Sequence, residues 1–442
     1  MKKYMLFYLI FFGIFHYILT IKFINIPFSK RPSKNVIESV FNIDIITNIS
    51  LGDPPQKLQI SLSFFCQSTL IKGSLFNSEY NEKDSKKIKY YNKKGNSFYY
   101  DQYYVTEFCN DDFIFDNFTE SNSSVNKIKL ERFIFQLFNN TDIGNRINTG
   151  IFGFNIFIFD SYDDNFINQL YLYHVINNKI FSINYLNNSF GYISIGEYPH
   201  IYDNITYDEK FYVKSNNEYL GRWGINFDKI SFGNKTFFII DKIIGKINLS
   251  IKGMIGDTYL RMGFNDFFFT EKFKNNECFI EQYNFNNKNI TVYKCKSSLN
   301  LKSFSKIYLF QRNMNYTFEL DSNELFIKDE DNNYIFLISF FSEHTGSWEL
   351  GEIFLKKYQI IIEYSMKNIG FYTQKREKTK LNIKQYFTYL LFFIMGLSII
   401  ILSICLYKAQ TKKRRIRANE LEDNYDYLPQ ENDEKKDKVF GF

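Results

Sequence analysis

Two halves of this chain repeat one pattern, and such a repeat restricts the fold more than any composition does. The first half reads "FNIDIITNISLGDPPQKLQISLSFFCQSTLI" and is followed by "TGIFGFN" at 149–155. The second carries "FDKISFGN" and "IKGMIGDTYLRM" and is followed by "WELGEIFL" at 348–355. Each apolar strand-turn-strand unit is thus answered by an apolar-apolar-Gly step, from Ser63 to Gly153 and from Met254 to Gly351. Two similar lobes are implied.

Between these landmarks, apolar runs alternate with Asn, Gly, Asp and Ser turns, and helical periodicity is rare, so the chain reads as mostly β. The best helix outside the terminal apolar runs is "DDNFINQLYLYHVI" at 163–176, with Asp at its start and apolar residues three and four apart. With 442 residues and 45% apolar content there is material for one large bilobal core. The 51 Phe and 34 Tyr against 6 Pro are read as a bias of the source genome. The net charge of +6 is small and partly local to "KKRRIR" at 412–417, which leaves no basic stripe for nucleic acid.

The ends of the chain indicate a membrane topology. Residues 1–21 have a basic start and an apolar run, the pattern of a secretory signal peptide, with an uncleaved signal anchor as the alternative. Residues 386–407 carry no charge and have the length of a membrane-spanning helix. The basic residues that follow place the tail, 408–442, in the cytosol and the preceding domain in the lumen or outside, after a juxtamembrane linker at 376–385. Sequons occur at Asn48, Asn117, Asn122, Asn139, Asn187, Asn204, Asn234, Asn248, Asn289 and Asn315, all before the span. Four of the five cysteines, Cys66, Cys109, Cys278 and Cys295, precede it as well, and Cys278 with Cys295 closes a short loop suited to a disulfide. In the tail, Tyr425 to Leu428 ("YDYL") fits a tyrosine-based sorting signal.

The motifs, taken in order, resemble those of the pepsin-like aspartic proteases across nearly the whole region before the span. "ISLGDPPQK" resembles the strand and turn before the first catalytic loop of that family, and "TGIFGFN" its D-G-I-L-G-L segment. "NNKIFSINYLNNSFGYISIGEYP" at 177–199 is similar to the stretch between lobes, and "WELGEIFLKKYQIIIEYSMKNIGF" at 348–371 to the closing motif. The resemblance implies a mostly β, bilobal fold with a substrate cleft between an N-terminal lobe at 43–200 and a C-terminal lobe at 201–375. It also implies a flap hairpin over the cleft. Tyr100 is then the counterpart of the flap tyrosine, with Asp101 and Gln102 where glycines normally turn the tip. A Cys66–Cys109 bond would pin this flap. "INIPFSKRPS", within 22–42, resembles the start of a family propeptide; a basic linker is the alternative.

Members of this family use two D-[TS]-G loops whose carboxylates share one proton, because only like charges held together drive their pKa values apart. This chain departs from that pattern twice. Aligned without gaps from "GDPPQ", the first loop falls on Ser63-Phe64-Phe65; counted back from "YLRM", the second falls on Met254-Ile255-Gly256. A hydroxyl and a thioether cannot exchange a proton near neutral pH. Phe65 also fills a place where the family needs glycine. Asp257 could enter the second loop only after a deletion, and it would lack a partner carboxylate. Ser63 as a nucleophile would need a base, and none of His16, His174, His200 and His344 lies in a segment expected beside it.

The sequence therefore reads as a monomeric, single-pass, glycosylated membrane protein of the secretory or endolysosomal pathway or cell surface. Its expected role is to bind peptide or protein through the cleft without cleaving it, with no cofactor and no metal. The alternative is an active aspartic endopeptidase with an atypical or misaligned dyad.

Overall fold

Alternating side chains become the two faces of strands. Along Gln56–Ser63, Leu58, Ile60 and Leu62 are buried while Lys57 and Gln59 are exposed, the period of two that a pleated strand imposes. The structure, a computed structural model, describes residues 23–31, 35–74, 80–99, 102–119, 124–138, 149–155, 165–217, 222–285, 288–374, 395–398, 400–415 and 417.

Among the described residues most of the domain forms two sheets, of thirteen and eleven strands. The first contains β1 (Ile24–Arg31), β2 (Asp44–Leu51), β3 (Gln56–Ser63), β4 (Leu70–Lys72), β5 (Lys89–Tyr99) and β6 (Gln102–Thr119). It continues with β7 (Ser124–Phe138), β8 (Gly150–Gly153), β9 (Ile180–Tyr185), β10 (Phe190–Ile195) and β11 (Tyr212–Asn216). The second contains β12 (Gly224–Phe232), β13 (Lys235–Ile247), β14 (Met254–Gly256), β15 (Cys278–Phe285), β16 (Lys288–Cys295) and β17 (Ile307–Gln311). β18 (Tyr316–Leu320), β19 (Phe326–Lys328), β20 (Tyr334–Phe336), β21 (Ile338–Phe341) and β22 (Ser347–Leu350) complete it. β23 (Ile360–Glu363) and β24 (Asn368–Tyr372) then return to the first sheet.

The two sheets share one crossing connection. In the first, β3 runs parallel to β8, β8 antiparallel to β4, and β4 parallel to β7. In the second, β13 runs parallel to β22, β22 antiparallel to β14, and β14 parallel to β21. The repeat in the sequence is therefore a repeat of topology. Aromatic side chains fill the core on both sides of the junction: Phe154 packs with both Phe166 and Phe181, and Phe181 meets Trp223. The Trp223 indole N–H donates to the Phe154 carbonyl at 2.7 Å and ties the second lobe to the first.

Three segments take these places in the fold. Residues 24–31, within the stretch read as propeptide-like or basic linker, form a strand: β1 pairs with β10 on one side and β2 on the other, with Ile24, Ile26 and Phe28 buried. The short helix Val36–Phe41, capped by the Asn35 side chain accepting from the Glu38 N–H at 2.7 Å, places Val40 and Phe41 in a core cluster with Ile251 and Ile255. Strands β11, β23 and β24, expected in the C-terminal lobe, join the first sheet. The helix expected at 163–176 forms over Phe166–Leu172 with Asn165 as its cap, and the chain turns at His174 with φ of 56°.

Residues 376–442 form a separate unit. Residues 395–398 and 400–415 are helical, and 386–394 lie outside the described residues. Among the described residues no helix is long and apolar enough to cross a membrane. The proposed signal peptide and the "YDYL" signal also lie outside the described residues.

Candidate functional site

Ser63 ends β3 beside Gly153, its parallel partner on β8. Its side chain is buried, and the hydroxyl oxygen accepts the N–H of Phe65, two residues on, at 3.1 Å. The carbonyl of Ser63 accepts the N–H of Phe154, and that of Cys66 accepts the N–H of Asn155. The loop thus folds tightly under Gly153, so tightly that a Cβ there would stand 2.5 Å from the carbonyl oxygens of Cys66 and Ser68.

The second loop lies elsewhere than Met254. β13 ends at Ile247, which pairs with Leu350 as Leu62 pairs with Phe152, so the residue corresponding to Ser63 is Asn248. Its hydrogen bonds agree: the Asn248 side-chain oxygen accepts the N–H of Ser250, two residues on, at 2.8 Å. Glu352 and Ile353 donate back to the carbonyls of Ile251 and Lys252, as Asn155 does to Cys66 in the first lobe. Met254 is a fully buried core residue opening β14, the counterpart of β4. By this register the loop corresponding to the one that starts at Ser63 is Asn248-Leu249-Ser250.

Neither loop holds a carboxylate. The nearest acidic group that geometry identifies is Glu349 on β22, whose Oε2 accepts the Asn248 amide Nδ2–H at 2.7 Å. Burial raises the Glu349 carboxyl above its ordinary range, opposed by the Asn248 amide and by Lys288, Lys246 and Arg222. No hydrogen bond joins it to a second carboxyl among the described residues. Phe65, only 4% exposed, lies beneath the Arg222 guanidinium, 5.3 Å from its ring centroid, where family members keep an open glycine.

The other residues singled out in the sequence have structural roles. Asp257 is fully buried, caps the helix Thr258–Gly263 and binds the 344–346 loop. Gly256 lies against the Phe340 ring, which a Cβ would meet at 2.9 Å. Of the histidines, His344 bonds Asp257 and His200 bonds Tyr372; the Ser63 hydroxyl oxygen accepts from a backbone N–H. Tyr100 and Asp101 lie outside the described residues, but the hairpin carrying them is formed: β5 pairs with β6 up to Tyr99 opposite Gln102, so Gln102 belongs to a strand.

Cys278 and Cys295 are disulfide-bonded, at facing positions of β15 and β16. The Cys66–Cys109 bond is not formed. Cys66 packs with Leu70, Phe138 and Ile151, whereas Cys109 belongs to the main core, and each thiol approaches a nearby backbone carbonyl instead. Burial raises the Cys109 thiol to about 12, which removes thiolate character.

Sequons at Asn48, Asn187, Asn204, Asn234, Asn289 and Asn315 are exposed, Asn117 is half-buried, and Asn122 and Asn139 lie outside the described residues. Asn248 differs from them. It is 2% exposed with its amide hydrogen-bonded on both sides, so it is not an acceptor site in the folded protein. Peptide mapping of the protein made in a glycosylating cell is expected to find Asn248 unmodified; a glycan there would contradict the second loop as described.

No family model matches the chain, and no curated protein matches it. Solved structures do. Conglutin gamma, a basic 7S globulin from lupine seeds, superimposes with a TM-score of 0.61 at 12% identity, covering 80% of this chain and 95% of its own. The basic 7S globulin from soybean gives 0.60 at 11% identity, covering 82% and 97%. At such identities the likeness is one of fold: the chain shares a mostly β, bilobal fold with these globulins.

Proposed function

We propose that this protein is a catalytically inactive member of the pepsin-like fold that binds extended peptide or protein segments in the cleft between its lobes. One observation carries the reading. Both loops keep the hydrogen bond from the N–H two residues on, yet the side chains accepting it are a hydroxyl and an amide, Ser63 and Asn248. The scaffold that would orient two carboxylates is intact, while neither group can take a proton from water at neutral pH. Extended peptides bind such scaffolds by backbone hydrogen bonds, with alternate side chains in pockets, and this needs no dyad. The uncharged run at 386–407 and the basic residues after it support a single membrane anchor with the bilobal domain lumenal or extracellular.

The test is hydrolysis. The purified protein, incubated with a degenerate peptide library from about pH 3 to pH 7, the range over which carboxyl dyads titrate, is expected to release no fragments that a pepstatin-type inhibitor suppresses. Inhibitor-sensitive cleavage that survives repurification would overturn the proposal and favour the alternative enzyme.

A further inference from the structure

Six cations crowd the turns that follow the uncharged run. From Tyr386 to Asn419 there is no acidic residue, and Lys408, Lys412, Lys413, Arg414, Arg415 and Arg417 all fall within 408–417. Residues 400–415 are helical, and the Thr411 hydroxyl donates to the carbonyls of Tyr407 and Lys408 one turn back, so the helix carries on into the charged turns. Along its apolar part Ile400, Ile401, Leu402, Ile404, Leu406 and Tyr407 are each at least 50% exposed. The six cations are exposed as well, and among the described residues none of them forms an ion pair. Successive helical residues stand about 100° apart, so Lys413, Arg414 and Arg415 ring the helix, while Lys408 and Lys412 line up with Arg415 along one side. A helix lying flat on a surface gathers its charge on one face. A ring suits a helix that stands through a layer of headgroups.

Resting on the single-anchor reading above, we infer that this basic ring binds the anionic phospholipid headgroups of the leaflet through which the helix leaves the membrane. Two observations select lipid over the chain's own acidic tail. The exposed apolar side chains directly before the ring call for an apolar surrounding, and hydrocarbon supplies one within a turn or two of the cations. The helix rises about 15 Å over ten residues, so the whole ring lies within about two Debye lengths, each roughly 8 Å, of the headgroups. An anionic leaflet meets the cations on every side at once. The acidic residues of the tail, from Glu420 onward, offer them only exposed ion pairs of little worth.

The experiment reconstitutes the full-length protein in phosphatidylcholine vesicles holding a trace of spin-labelled phosphatidylcholine or spin-labelled phosphatidylserine, and reads the fraction of each lipid that the protein immobilises. Phosphatidylserine is expected to be immobilised about threefold or more over phosphatidylcholine. Raising the salt to about 1 M, where the Debye length shrinks to about 3 Å, is expected to remove the preference in the native chain without any substitution. The combined variant Lys412→Gln, Lys413→Gln, Arg414→Gln and Arg415→Gln is expected to remove it at low salt. Equal immobilisation of the two lipids by the native chain, as when the acidic tail covers the ring, would overturn this inference and leave the anchor standing. So would a preference that resists the salt, or one that survives the variant and therefore comes from Arg376, Lys378, Lys380 and Lys384 before the uncharged run. Immobilisation of neither lipid would overturn the anchor and the inference together.

Discussion

Replacing Gly351 by alanine is expected to lower stability by about 3 kcal/mol or more, enough to prevent accumulation of the folded protein. The added Cβ would lie 2.0 Å from the Gly253 carbonyl oxygen and 2.6 Å from that of Ile251. These are backbone atoms of the second loop, which cannot rotate away as a side chain can. Moving them breaks the bonds from Glu352 and Ile353 that close the loop, and with them the β13–β22 pairing. Gly153→Ala is expected to behave alike, since its Cβ meets Cys66 and Ser68 carbonyls at 2.5 Å. Gly346 serves as the control: a Cβ there meets nothing within 4 Å, so Gly346→Ala carries only the strain of its φ of 61°, about 1 kcal/mol. Urea unfolding of the three variants checks the order. A Gly351→Ala protein as stable as Gly346→Ala would refute the crossing geometry of the loops.

Asp257→Ala is expected to cost about 2 kcal/mol, because it removes a buried acceptor shared by several donors, of which Tyr259 and Gly346 are half-buried and His344 and Thr345 exposed. The carboxylate takes the N–H of Tyr259 at 2.8 Å, the His344 ring at 2.8 Å, the Gly346 N–H at 2.7 Å, the Thr345 hydroxyl at 3.2 Å and the Thr345 N–H. Burial by itself would raise the carboxyl, but the bonds from Tyr259, His344, Thr345 and Gly346 outweigh it and hold the group below its ordinary 3.8. The direction of the pH effect follows. A depressed carboxyl contributes fully above 3.8 and loses its contribution as the pH falls through the lowered value. The stability gap between the native protein and Asp257→Ala should thus be constant near neutrality and narrow in acid. A gap that stays constant to about pH 2, below the ordinary carboxylate range, would show that the buried charge is not what holds the 344–346 loop.

The fold was legible because its signature is geometric. Alternating apolar positions mark the strands, and Gly153 and Gly351 stand where no side chain fits, so both are readable whatever the loop residues are. Ser63 was found because β3 follows "GDPPQ" without insertion. Asn248 was not, for two reasons. Nothing in "NLS" matches D-T-G, and counting back from "YLRM" assumed a distance between loop and strand that this lobe does not keep. The same three letters spell a sequon, a motif blind to burial, which assigned Asn248 to the surface. Glu349 went unread inside "WELG", although one charge in an apolar run was the available signal. The strand β1 also announced itself, with Ile24, Ile26 and Phe28 at alternate positions, but its likeness to a propeptide start and its basic residues drew the propeptide-or-linker reading. The helix end at Leu172 and the absence of a Cys66–Cys109 bond depend on tertiary packing, which no local pattern encodes.

The position of β9 bears on how the chain reaches its folded state. On one side it pairs with β10, its neighbour in sequence; on the other it pairs with β23, which comes from the far end of the domain. Synthesis proceeds from the N-terminus, so Ile180–Tyr185 emerges long before Ile360–Glu363. Throughout that interval the nascent first sheet has an open edge of unpaired N–H and C=O groups, flanked by Phe181 and Ile183. The whole second lobe is made while that edge waits, which makes it the point at which a folding helper must shield the chain and at which slow elongation favours aggregation.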